Sequence, residues 1–442
     1  MQSASSFIFF ICSALFILSS SICALRAQTT GNETIYLKYA DSLIGRTESA
    51  GMIRELNGRV NLTQGDVILY CDRAIQYLDL NKVELIGSVR IIQGTVTLTA
   101  PRADYDGNQR LAWGHKGVKI VDRQITLDAD SGYYSTSTAI ANFNGTVKIL
   151  DDSVKILADS VEYSRRSQNS SAFGRVAVSG RYSNVVLTGD SAWNFPATRY
   201  SRIAGNSILR QIDSTFTADS SNFTSDTVTT IKSSHYDTLT ISAKVMEAFR
   251  NDGELYVAYG TAEIVRASLA ARTDTIIYQK RDDILRLRGA SPALWYDSTQ
   301  LRADSISVFI PQKKLRRIEA SGNAFSAVRD DTANTERTQQ LSGAFIRIDV
   351  ENDTLRQIFV RGDAKSLYFM QTDGEPDGAA RNSADSIRIE TLDGKPEIIR
   401  WLGGVNGEFF PEIFILKKTS DYYLPNFLWL TDRPKRKIPL IR

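Results

Sequence analysis

The segments Gly58-Arg-Val-Asn-Leu62, Gly87-Ser-Val-Arg-Ile91, Gly145-Thr-Val-Lys-Ile149 and Gly174-Arg-Val-Ala-Val178 decide the architecture. Val60, Val89, Val118, Val147 and Val176 follow one another at intervals of 29 residues, and Leu62, Ile91, Ile120, Ile149 and Val178 keep that interval two positions later. A fixed period of this kind marks a repeat architecture. Within each segment apolar and polar residues alternate, with β-branched residues prominent, which is the pattern of a half-buried strand. One such unit cannot bury its apolar face alone, so the units stack and share one core.

Each unit has two halves. The first runs through the glycine, as in Val83-x-Leu85-x-Gly87-x-Val89-x-Ile91, which places the glycine on the apolar face at a close approach or bend. The second reads Leu127-Asp-Ala-Asp130-Ser, Ile156-Leu-Ala-Asp159-Ser-Val-Glu-Tyr163, Phe216-Thr-Ala-Asp219-Ser or Leu301-Arg-Ala-Asp304-Ser. Its alternation slips at Asp-Ser, as a bulge inside a strand requires. The expectation is an all-β fold, an elongated β-jellyroll of bent antiparallel strands built from repeats of about 29 residues, two sheets closing face to face. Polar turns such as Asp106-Gly-Asn108 join the strands. The rhythm continues less regularly through Gly205, Gly260, Gly289, Gly322 and Gly362, with Leu239–Ala243 as a further strand. Polar Gly- and Pro-containing insertions are expected at Asp330–Gln340 and Asp373–Asn382. After Phe409 the pattern stops and Tyr422–Trp429 leads into the basic Arg433–Lys437.

The N-terminus carries an apolar run of twelve residues, Phe7–Leu18, too short to span a bilayer, followed by Ser19, Ser20 and Ser21 and then Leu25-Arg-Ala27. This pattern is that of a secretory signal peptide over residues 1–27, and it predicts a secreted protein. A retained anchor is the alternative; lipidation at Cys23 is disfavoured by Ile22 before it. The remaining organisation is read as residues 28–205, a second repeat region over 206–410, and a C-terminal cap with a basic tail over 411–442, expected to cover the last strand edge. Once the leader is removed Cys71 is the one cysteine left, which allows no internal disulfide. It occupies the slot that alanines fill in other units, so it reads as a small buried residue.

Catalytic chemistry has little to build on. No nucleophile elbow, phosphate loop or dinucleotide fingerprint is present, and His115 and His235 read as solvated loop residues. The net charge of +3 implies no nucleic-acid partner. The recurring Asp104, Asp130, Asp159, Asp190, Asp219, Asp274, Asp304 and Asp385 invite a calcium test. Successive aspartates two strands apart lie roughly 10 Å apart, beyond what one cation with ligands at about 2.4 Å bridges. Hydrogen bonds that stabilise the corners account for them better, and no metal or other cofactor is expected. Arg90, Lys119 and Lys148 form a basic row on the outward face, read as cross-strand pairing or as contact with phosphorylated headgroups.

Leu56–Val60, Tyr70–Ala74, Val83–Gly87, Ile91–Gly94 and Ala103–Gly107 together resemble the OstA-like, LptA-type periplasmic proteins of lipopolysaccharide transport, in particular the long OstA-like proteins of Bacteroidetes. The resemblance is good from about Ile35 to Gly205, moderate to Gly362 and poor beyond. It implies a β-jellyroll whose apolar groove carries lipid A acyl chains toward the outer membrane, with no catalytic residues. Implied partners are lipopolysaccharide, transport components in both membranes, and head-to-tail copies of the chain. The inward positions expected to line the groove are Val60, Leu62, Val89, Ile91, Val118, Ile120, Val147, Ile149, Val176 and Val178. The competing readings are a parallel β-helix acting on polysaccharide and a structural envelope or adhesin module.

Overall fold

The computed structural model describes residues 33–48, 51–123, 125–150, 154–180, 184–222, 229–251, 253–329, 336–352, 354–372, 375–392, 394–416 and 418–438, without the side chains of 213–237. The leader expected over 1–27, Asp219 and the His235 side chain lie outside that description. The chain forms two units, one ending at Ser207 and one beginning at Ile208.

In the first unit almost every described residue belongs to a strand, and its pairings are antiparallel, between sequence neighbours or next-but-one neighbours except that Leu111–His115 pairs with Ser131–Ser135, three strands on. That excludes a parallel β-helix for the described residues. Each long strand has two arms. In Gly51–Gln64, residues 53–57 pair with 73–77 of Val67–Tyr77, then the register shifts, and 60–64 pair with 67–71. The same shift recurs between Lys82–Gln93 and Val96–Asp106, and among Ile140–Leu150, Val154–Ser164, Ser170–Gly180 and Val185–Phe195. Every strand therefore leaves one half-sheet and enters the other through a bulge, giving two half-sheets joined along a row of corners.

The corners explain the repeat. Gly58, Gly87, Gly145, Gly174 and Gly205 all have φ between +72° and +79°, and the next residues, Arg59, Ser88, Thr146, Arg175 and Asn206, are left-handed as well. A Cβ on these glycines would lie 2.2–2.5 Å from a carboxylate oxygen of Asp41, Asp72, Asp130, Asp159 and Asp190 on the preceding strand. The expected placement of the glycine on the apolar face is thus corrected. The missing side chain faces an aspartate on the outer side of the corner, because two consecutive left-handed residues rotate the backbone out of the alternation. The aspartate also fixes the corner through its backbone. Asp41 and Asp130 each donate their N–H to the glycine carbonyl at 3.0 Å, Gly58 and Gly145 respectively. The residue after the glycine often returns a side-chain bond: Arg175 to Asp159 at 3.0 Å, and Asn206 to Asp190 at 3.4 Å. The Arg175 bond holds the Asp159 carboxyl below its ordinary range.

One rung departs from this rule. Pro101 occupies the aspartate position in Val96–Asp106, and the glycine comes one residue late, at Gly117, with open space where its Cβ would be. Without the clasp the bent strands split into separate arms, Leu111–His115 with Val118–Asp122 and Ile125–Ala129 with Ser131–Ser135. Asp104 is not a corner residue at all. It pairs with His115 at 2.8 Å, so His115, expected as a solvated loop residue, ends a strand beside a carboxylate.

The second unit repeats the scheme. Gly289, Gly322 and Gly403 meet Asp274, Asp304 and Asp385, whereas Gly260 meets Lys244 and Gly362 meets Ala344. Its core joins Ile264, Leu287, Leu294, Leu301, Ile306, Ile346, Val360 and Ile387. Of the loop expected at Asp373–Asn382, the described residues 375–382 are instead strand: Thr354–Thr372 and Glu375–Leu392 pair antiparallel, with an irregularity at Met370/Gln371 that accommodates Pro376. The C-terminal segment, expected to cover the last strand edge, crosses a sheet face. Leu424 N–H donates to Gln340 at 2.9 Å, Leu430 exchanges two 3.0 Å bonds with Gln300, and Lys437 pairs with Glu263 at 2.9 Å. Beneath it lie Phe325, Ala327, Leu367 and Trp295, on the face opposite Leu294, Leu301 and Ala324. The tail's cations are thereby engaged: Arg433 bonds to the Asp297 carbonyl at 3.2 Å and Arg436 to that of Thr238 at 3.4 Å.

Gly145→Ala should cost roughly 2–4 kcal/mol, combining left-handed strain with displacement of Asp130. Gly94→Ala, left-handed but with nothing within 4 Å of its Cβ, should cost only about 1–2 kcal/mol. Chemical denaturation that ranks the two variants equally would show that the aspartate does not depend on the missing side chain.

Candidate functional site

The corner row closes one side of the first unit, and its interior lies between the half-sheets. Val60, Val89, Val118, Val147 and Val176 sit just past the corner, each 1–2 % exposed. The first four pair with small residues, Cys71, Ala100, Ala129 and Ala158, which leave them room at the inside of the bend. Burial pushes the Cys71 thiol up to about 11, which makes it an unreactive filler. Two positions further in, Leu62, Ile91 and Val178 are also buried, whereas Ile120 and Ile149 are partly exposed.

That difference follows the packing along the unit. Around Leu62 the interior is filled by Leu56, Leu69, Leu85, Leu98 and Tyr105, all at most 1 % exposed. Beyond the split rung the same space widens into a cavity of about 130 Å³, lined by Ile120, Leu127, Phe143, Ile149, Ile156 and Val161. Its polar end is formed by Asp122, Tyr134, Tyr163 and Arg165. The Tyr163 hydroxyl lies buried with no hydrogen-bond partner.

Opposite the corners, the strand ends of the two half-sheets face each other across a seam that no backbone ladder closes among the described residues. Side chains bridge it with the same 29-residue period. Gln64 donates to the Gly107 carbonyl at 2.8 Å and accepts from the Tyr105 hydroxyl at 2.6 Å. Gln93 donates to the Thr136 carbonyl at 3.4 Å. Arg165 lies 3.7 Å from Asp122 and donates to Thr95 at 3.1 Å. Each bridge spans 43 residues in sequence, and both lips advance by 29: 64, 93, 122 and 107, 136, 165. Sequence reading missed these bridges, although the equal spacing of Gln64 and Gln93 carried the signal. The first bridge is buried, Gln64 being 2 % exposed, while the third is wetter, with a third of the Arg165 side chain exposed.

The outer face carries the basic row. Arg90 and Lys119 are exposed and Lys148 partly so, and Arg90 stacks over the Tyr70 ring at 4.8 Å. Among the described residues, no group of three His, Cys, Asp or Glu side chains is placed to hold a metal ion.

Residues 32–185, the stretch that contains corners, interior and seam, match the family model described as OstA-like protein. This stretch is OstA-like. Among solved structures, the chain is similar to LptH, the LptA-homologous periplasmic component of the lipopolysaccharide transport device of Pseudomonas aeruginosa. The identity is 12 %, the match covers 32 % of this chain and 95 % of LptH, and the TM-score is 0.26. No curated protein matches.

The seam of the OstA-like stretch should weaken from its first bridge to its third. Gln64→Ala leaves buried groups unpaired and should cost about 1–3 kcal/mol, whereas Arg165→Ala should cost at most about 1 kcal/mol. Equal losses in chemical denaturation would contradict a graded seam.

Proposed function

We propose that the protein binds lipopolysaccharide without chemical conversion and carries it across the periplasm toward the outer membrane, with acyl chains held between the two half-sheets of the first unit. The observation that carries this reading is an apolar interior whose open side is held by side-chain bridges alone, within a stretch that matches the OstA-like family. An acyl chain of about twelve methylenes gains on the order of 10 kcal/mol when fully buried, at about 0.8 kcal/mol per methylene. The cavity of about 130 Å³ is close to the ~150 Å³ that accommodates a benzene. Loading a whole chain therefore requires the half-sheets to part, and the seam is where they part at least cost.

The lining proposed to meet lipid is the set Val60, Leu62, Val89, Ile91, Val118, Ile120, Val147, Ile149, Val176 and Val178. Contact begins at Ile120 and Ile149, where the space is already open. Similar rungs give similar affinity at each step, so the interior supplies a path without a direction. Directed flow then comes from transport components at the two membranes, and the strand edges at Tyr36–Tyr39 and Asn406–Phe410 offer them, or further copies of the chain, a ladder to extend.

Photo-crosslinking amino acids at positions 120 and 149 should capture lipopolysaccharide in cells. The neighbouring position 119, on the outer face, should not. Capture at 119 equal to that at 120, or no capture at either interior position in folded protein, would refute the proposal.

A further inference from the structure

The half-sheet containing Leu111–His115 carries a feature on its outer face that lipid transport does not use. One cross-strand row reads Glu84, Asp104, Trp113, Tyr133 and Asn142. Trp113 is 44 % exposed, an unusual position for so large an apolar surface on a solvated sheet. It is held in place by neighbours on both sides. The Tyr133 ring lies 5.6 Å away and tilted, and the His115 ring lies 6.1 Å away, within 15° of parallel. Tyr133 is fixed in turn by Asn142, which donates to its hydroxyl at 2.8 Å, and His115 by Asp104 at 2.8 Å.

Beside this platform lies a cleft of about 450 Å³ lined by Tyr77, Glu84, Arg102, Asp104, Asp106 and Trp113. That volume falls within the roughly 300–1,000 Å³ of small-ligand sites. Four of its charges cancel in two pairs: Arg102 pairs with Glu84 at 2.8 Å and Lys82 with Asp106 at 3.0 Å. Asp104, half-exposed, presents the oxygen that it shares with His115, while its other oxygen, Oδ1, is buried with no hydrogen-bond partner among the described residues. The site thus combines an exposed, braced aromatic face, closely spaced donors and acceptors, and charges that are paired apart from the Asp104–His115 couple.

We propose that this face binds a neutral saccharide, one pyranose ring lying on Trp113 with its hydroxyls directed to Asp104 and the Arg102–Glu84 pair. The apolar C–H face of a pyranose suits an aromatic ring, and its hydroxyls both donate and accept, as this cleft requires. The Arg102–Glu84 and Lys82–Asp106 pairs leave a cationic ligand little to gain beyond Asp104, itself engaged with His115, and the polar rim disfavours an acyl chain.

The test uses the full chain and four neutral tetrasaccharides, cellotetraose, chitotetraose, maltotetraose and mannotetraose, in saturation-transfer difference NMR. Transfer to at least one is expected. It should vanish in Trp113→Ala, persist in Trp113→Tyr, which keeps an aromatic face, and weaken at least fivefold in affinity in Asp104→Ala. Phe173→Ala, which removes another exposed aromatic of the same unit, should leave it unchanged. No transfer to any of the four, undiminished transfer in Trp113→Ala, or an equal loss in Phe173→Ala would overturn the assignment.

Discussion

The contact between an aspartate on one strand and a glycine on the next is the constraint on which the rest of the first unit depends. An antiparallel ladder left to itself would run straight and present a single sheet with one wet face. Here two successive left-handed residues turn each strand, and the turn is compatible with close packing only because the glycine lacks the atom that would meet the aspartate. Asp72 with Gly87, Asp130 with Gly145 and Asp159 with Gly174 repeat this arrangement rung after rung. The bend brings the two arms of every strand face to face, and that converts an alternating pattern into an enclosed apolar space.

Enclosure by bending leaves two unlike sides. The corner side is continuous backbone and cannot part without breaking strands. The seam side is held by Gln64, Gln93 and Arg165, whose bonds contribute on the order of 1 kcal/mol each. The rung at which Pro101 replaces the aspartate separates a tightly filled interior around Leu62 from the wider one around Ile149. Loss of one clasp, a widening interior and a wetter bridge thus occur along the same unit, and together they locate where an apolar guest meets least resistance.

Much of this was legible in the sequence. The strands, their bends, the antiparallel order and the role of Cys71 followed from the 29-residue period and the slip at Asp-Ser. Asp130, Asp159, Asp190, Asp274, Asp304 and Asp385 were rightly assigned to the corners, whereas Asp104 lies three residues past the corner position that Pro101 holds. What alternation could not convey was the direction of the glycine, since a left-handed pair breaks the period of two on which the inference rests. The pairing of Thr354–Thr372 with Glu375–Leu392 was obscured by Gly378 and Pro376, residues that usually end strands and here sit at an irregularity. The path of the C-terminal segment and the row through Trp113 depend on contacts between residues far apart in sequence, or between side chains across strands, and no periodicity announces them.

The central claim is that the half-sheets of the first unit part along the seam to admit an acyl chain. Cys71 is buried and its thiol is pushed up to about 11, so with Cys12 and Cys23 replaced by serine spin labels attach selectively to cysteines introduced at Arg123 and Ser167, both exposed and on opposite lips of the third bridge. Pulsed electron–electron distance measurements between them, with and without lipopolysaccharide, read the opening directly. The account predicts a longer and broader distance distribution when lipid is bound; an unchanged distribution at saturating lipid would contradict it.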